Sequence, residues 1–152
     1  MLAAAWALAM LASTPAPAVT LDGFKGQGME SIYGYYAPGN CALDPHMKID
    51  ENGFTFWANR QKIESRSFDH ALTFMGPDYN GITKVFFPFP VNEEDPGPVV
   101  LLVNDGEKPG TIRVEANLGP GQHPSPFNAA LTAAPLYKLC VPMIAPGANA
   151  DE

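Results

Sequence analysis

The chain has 152 residues, 46% hydrophobic and 16% charged, and its 16 acids against 9 Lys and Arg set a formal net charge of -7. That sign, with no basic run to override it, excludes a phosphate-backbone partner, because nucleic-acid affinity rests on neutralisation by Lys and Arg. It counts equally against an anionic membrane surface.

The first 21 residues carry no charged side chain, and Met1 to Ala12 is almost wholly Ala, Leu, Met and Trp. This reads as an apolar export segment. Ala16 and Ala18 supply small residues at the -3 and -1 positions, so cleavage is expected after Ala18. A membrane anchor would need about 20 apolar residues, and this run ends sooner in a Pro-rich flank. Residues 1–18 are thus expected to be a signal peptide, residues 19–145 a single β-rich domain and residues 146–152 a loose tail, with a periplasmic or secreted location. A domain of this size buries about two-thirds of its unfolded surface, enough for one core.

Gly (14) and Pro (16) are spread along the chain as punctuation, which marks short strands separated by turns. SIYGYYAP reads as a strand with Tyr33 and Tyr35 on one face. MKIDENGFTFWAN reads as a hairpin: Met47 and Ile49 alternate with Lys48 and Asp50, Asn52-Gly53 tolerates positive φ, and Phe54 and Phe56 alternate with Thr55 and Trp57. SFDHALTFMG puts Phe68, His70, Leu72 and Phe74 on one parity.

In VFFPFPVNEEDPGPVV, parity assigns Val85, Phe87, Phe89 and Val91 to the core and Lys84, Phe86, Pro88 and Pro90 to the other face. Two prolines lacking N–H groups on one side predict an edge strand guarded against further pairing. Glu93, Glu94 and Asp95 then end it in water. The apolar run Val99 to Val103 suits a strand buried on both faces, and Asn104-Asp105-Gly106 turns it into a return strand in which Ile112, Val114 and Ala116 alternate with polar residues.

SPFNAALTAAP is the one convincing helix: Ser125 caps it, Pro126 opens it, Phe127, Ala130, Leu131 and Ala134 form an apolar stripe, and Pro135 stops it. It delivers LYKLC to where Cys140 can meet Cys41. In an oxidising compartment that pair reads as one disulfide, worth about 4 to 5 kcal/mol in a chain-entropy model for a loop of roughly 100 residues. Together these elements predict a mainly β fold, an antiparallel barrel or sandwich of six to seven short strands with one C-terminal helix packed on it.

Candidate chemistry is sparse. His46, His70 and His123 lack metal-ligand spacing, and Asp69 with His70 point to opposite faces of a strand, so they form no dyad. No serine stands in a nucleophile motif and no glycine run cradles phosphate, so no catalytic residue, metal or cofactor is expected. Calcium would need six to eight converging oxygens, and the strand from Val99 to Val103 holds Glu93 to Asp95 apart from Asp105 and Glu107. What remains is a binding surface: Trp57, which shares a face with Thr55 and Asn59, then Phe86 with Glu93, Glu94 and Asp95 beside it, and Tyr33 with Tyr35.

The order YGYYAPGNC, KIDENGFTF, VNDGEKPGTIRVE and YKLC is similar to a group of small exported bacterial proteins with a cysteine pair. A looser similarity is to lipocalin-like and lysozyme-inhibitor-like small β-barrels, although the lipocalin G-x-W signature is replaced by Tyr33-Gly34-Tyr35-Tyr36. The resemblance implies a periplasmic, single-domain β-rich protein and carries no activity over. The expectation is a non-catalytic protein that binds, and inhibits or modulates, another envelope or secreted protein. The alternatives are a carrier of a small apolar ligand inside the barrel, and a hydrolase built around His70.

Overall fold

The computed structural model describes residues 19–41, 44–72, 84–88, 99–103, 110–134 and 136–143. Its strands are β1 (Val19–Asp22), β2 (Gly34–Pro38), β3 (His46–Asp50), β4 (Gly53–Ala58), β5 (Gln61–Ser65), β6 (Ser67–Leu72), β7 (Lys84–Phe87), β8 (Val99–Val103), β9 (Thr111–Ala116) and β10 (Leu136–Pro142). Among the described residues, one α-helix, α1 (Pro126–Thr132), and a 3-10 turn at Glu30–Ile32 complete the elements.

Local chemistry places the hairpins. In β3 and β4 the period-two pattern turns Met47, Ile49, Phe54 and Phe56 inward, all of them buried. The loop between them is Glu51-Asn52, one residue earlier than the sequence suggested. Asn52 N–H donates to Asp50 Oδ1 at 2.9 Å, and Gly53, at φ 118°, is the first strand residue, paired with Asp50. A β-carbon there would collide with the Ser65 carbonyl. The chain then turns again through Asn59 and Arg60, at φ 51° and 62°, which sets Ala58 opposite Gln61. Two consecutive residues of positive φ are what a right-handed twisted hairpin with a two-residue loop requires.

All strands join one antiparallel sheet in the order β1-β6-β7-β8-β9-β10-β2-β3-β4-β5, curled into a half-barrel. Its two ends are held together by the chain itself, because only Arg66 separates β5 from β6. There Gly23 N–H donates to Arg66 O, Phe24 N–H donates to Glu51 O at 2.8 Å, and the buried Ser65 hydroxyl donates to Pro88 O. Phe24, fully buried, follows β1 and drops its ring among Phe54, Phe68 and Phe86 at centroid distances of 5.2, 4.6 and 5.4 Å.

The helix starts as the sequence predicts and ends at Thr132, short of Ala134. Ser125 Oγ accepts from Asn128 N–H at 3.2 Å, Pro126 opens the first turn, and Phe127 and Leu131 are buried against the sheet. Tyr137 on β10 donates its hydroxyl to Leu131 O at 2.8 Å. Cys41, just past β2, and Cys140 form the expected disulfide across a separation of 99 residues, with Cα atoms 5.8 Å apart. The β2–β10 register shifts between Leu139 and Val141, so Cys140 sits at the irregularity and has no strand partner to displace.

Three sequence expectations are corrected. The sheet has ten strands rather than six or seven: β1, β5 and β10 were not foreseen as strands. β7 is not an edge strand, since it pairs with β6 and β8; Pro88 stands just past its last paired residue, where a missing N–H costs no ladder bond. The faces of β7 are also reversed. Phe86 lies in the main core, while Val85 packs with Leu102, Phe87 and Val100 in a second small cluster. Both parities of KVFF are apolar beyond Lys84, so alternation could not choose, and the partners His70 and Leu101 of Phe86 decide. No helix among the described residues is long and apolar enough to cross a membrane. The expected signal peptide with its cleavage after Ala18, the tail, Phe74, Phe89, Pro90, Val91, Pro135 and the turn at 104–106 lie outside the described residues.

Candidate binding face

The inner parity of β3 and β4 is spent on the core, so the opposite parity, continued onto β5, forms an outward face. Its rungs follow from the register. His46, Trp57 and Lys62 form one; Tyr35, Lys48, Thr55 and Glu64 form the next across β2 to β5. Trp57 is half-buried and stacks on His46, with ring centroids 4.4 Å apart and planes 6° from parallel. Lys62 brings Nζ over the same indole at 5.9 Å. His46 and Lys62 come from the strands on either side of β4, so they flank the indole and leave its edge to solvent. A sugar stacked on the ring face is therefore disfavoured: both faces are taken.

The charges around it are paired. Lys48 Nζ lies 2.5 Å from Asp50 Oδ2, and Glu64 takes Lys62 at 2.7 Å and Arg66 at 2.8 Å. The side-chain hydrogen bonds from Lys62 and then Arg66 hold the Glu64 carboxyl at about 2, far below the usual carboxylate value. It is a fixed anion, unsuited to proton transfer at ordinary pH. Beside Thr55 the surface dips into a shallow polar hollow lined by Lys48, Asp50, Asn52, Glu64 and Arg66. The face thus offers an immobilised aromatic edge, a Tyr hydroxyl and a lattice of hydrogen-bonding charges. It offers no activated nucleophile.

The sequence-predicted residues separate. Trp57 and Tyr35, the latter 39% exposed, share this face one rung apart. Tyr33 does not join them. It precedes β2, follows the 3-10 turn with its N–H on Glu30 O, and is 5% exposed against Phe24, so strand parity never reaches it. Burial first, then the negative charge of Glu30, raises its phenol above the ordinary value. Phe86 is 0% exposed in the ring cluster, which removes it as a surface anchor. Glu93, Glu94 and Asp95 lie outside the described residues.

His70, held open as a catalytic candidate, stacks on Phe86 at 4.9 Å. Burial, then Lys84, lowers its pKa, and its Nε2 has no hydrogen-bond partner. Asp69, on the opposite face, accepts from Thr20 Oγ1 at 2.8 Å. Among the described residues no three His, Cys, Asp or Glu converge as metal ligands. Sequence reasoning missed His46, Lys62, Glu64 and Arg66. The signal was present in the two turns, which fix every partner of Trp57 once they are placed correctly.

No family model, no curated protein and no solved structure matches the chain. The curled antiparallel sheet and the Cys41–Cys140 disulfide are consistent with a small β-barrel fold.

Proposed function

We propose that the chain is an exported, non-catalytic binding protein that presents the outer face of β3–β4–β5 to another protein of the cell envelope and so inhibits or modulates it. The observation that carries this reading is the clamped Trp57. An indole fixed between His46 and Lys62 loses little further freedom on binding, and it stands with Tyr35 and Arg66 on one face. Trp, Tyr and Arg are the residue types that dominate binding energy at protein interfaces. The net charge of -7 steers the protein toward a basic partner at long range. A disulfide fits an oxidising compartment, which supports export. The carrier alternative is disfavoured by the ring cluster of Phe24, Phe54, Phe68 and Phe86, whose mutual contacts fill the concave side where a ligand would sit.

Immobilised protein, exposed to envelope extract and cross-linked, is expected to capture a defined partner. Trp57→Ala should weaken the capture about tenfold or more, the loss typical of a hot-spot aromatic, with an unchanged far-UV spectrum. Capture that is indifferent to both Trp57→Ala and Arg66→Glu would refute the proposal.

A further inference from the structure

We infer that a second copy of this chain pairs with β5, edge to edge and antiparallel, about a two-fold axis through Ile63. Among the described residues β5 ends the strand order and pairs only with β4. The two-residue loop Asn59-Arg60 fixes which of its backbone groups are free. The pair Ala58 and Gln61 flanks that loop and exchanges both bonds, so Gln61, Ile63 and Ser65 turn their N–H and C=O toward β4. Lys62 and Glu64 turn theirs to the open edge. Their side chains are 51% and 38% exposed, and Ile63 between them leaves 37% of an apolar surface in water at the sheet's rim.

An open edge with a lysine on it normally repels further strands. Here the sequence Arg60-Gln61-Lys62-Ile63-Glu64-Ser65-Arg66 is self-complementary when reversed. In the register centred on Ile63, Lys62 meets Glu64 of the second copy, and Glu64 meets Lys62 of the second copy. These are the residues with free backbone groups, so each opposed pair exchanges both N–H···O bonds. The two Ile63 side chains meet at the axis as a close, non-hydrogen-bonded pair, covering their exposed surface. The register centred on Lys62 would oppose lysine to lysine, and the one centred on Glu64 would oppose glutamate to glutamate, so charge selects one alignment. The like-charged Arg60 and Arg66 of the second copy fall at the ends, where Arg60 leaves the strand line in its turn. The intrachain Lys62–Glu64 pair exchanges for the same pairing across the axis.

The test is sedimentation velocity on the full exported chain over a wide concentration range, with Lys62→Glu, Glu64→Lys and the double exchange. Each single variant places like charges opposite one another twice per dimer and should weaken association about tenfold or more; the double exchange should restore it. Ile63→Cys should give a disulfide-linked dimer on a non-reducing gel, and Gln61→Cys should not. Thermal melts show that each variant folds. A wild type that stays monomeric up to the order of 1 mM, or a dimer untouched by the single variants, overturns the inference. Trp57→Ala should leave the dimer intact, which separates this test from that of the binding face.

Discussion

Phe24 lies in no strand, yet its ring is fully buried against those of Tyr33, Phe54, Phe68 and Phe86 at 6.4, 5.2, 4.6 and 5.4 Å. Phe24→Ala removes that ring from a place the curled sheet cannot readily collapse into, because the surrounding residues belong to three paired strands, β4, β6 and β7. Buried Phe to Ala changes cost about 3 to 5 kcal/mol, and the edge-to-face contacts with Phe54 and Phe86 favour the upper half of that range. A loss of about 4 kcal/mol lowers the ratio of folded to unfolded chains by roughly three orders of magnitude. It would consume a large share of the about 5 to 15 kcal/mol typical of a domain. Urea unfolding followed by near-ultraviolet circular dichroism measures it, with Phe24→Leu as a partner variant that keeps most of the bulk and should lose only about 1 to 2 kcal/mol. A loss under about 1.5 kcal/mol for the alanine variant would show that the ring is not the keystone of the core, and the packing argument against an interior ligand would fall with it.

Two further outcomes follow from the geometry. Reducing the Cys41–Cys140 bond, or replacing both cysteines by Ser, reopens a 99-residue separation and should lower stability by about 4 to 5 kcal/mol on the chain-entropy model; a change below about 1 kcal/mol in urea would refute that account. His70 has a folded pKa below the ordinary imidazole value because burial, and then Lys84, disfavours its cation, so the unfolded chain takes up a proton first. Its stabilising contribution is complete above about pH 6.5 and is lost as pH falls toward the lower folded value. Urea midpoints compared between pH 7.5 and 5.5 should show a decline that His70→Leu flattens; an equal decline in the variant would assign it elsewhere.

How much of this was legible depended on whether alternation carried information. The β3–β4 hairpin and β9 could be read because one parity is apolar and the other polar, β8 because its apolar run is bounded by turn residues, and α1 because Ser125 and Pro126 announce it. β5 is written Gln-Lys-Ile-Glu-Ser with one apolar residue, and its existence follows from the turn at Asn59-Arg60 rather than from any hydrophobic pattern. β7 failed for the opposite reason, since apolar residues on both parities give no preferred face. The candidate binding face was half legible. Trp57 could be placed outward from Phe54 and Phe56, but a loop of Asn52-Gly53 would have set Lys48 opposite it. The loop actually uses Glu51-Asn52, and His46 takes that place. One residue of turn geometry thus decides which side chain clamps the indole.

The disulfide has a mechanical consequence. Cys41 and Cys140 close a covalent ring that contains β3 through β9, α1 and most of β10, and therefore the whole of Trp57's surroundings. Tension applied at Val19 and Met143 bypasses that ring through the sulfur bridge. Only the segments outside it can be drawn out, roughly 90 Å of slack at about 3.5 Å per residue. A processive unfolding machine that grips the N-terminal side would strip β1 and β2 and then stall at a loop it must thread as a double strand. Until the bridge is reduced, degradation from that end would remove Tyr35 but leave the covalent ring that carries His46, Trp57 and Lys62 uncut.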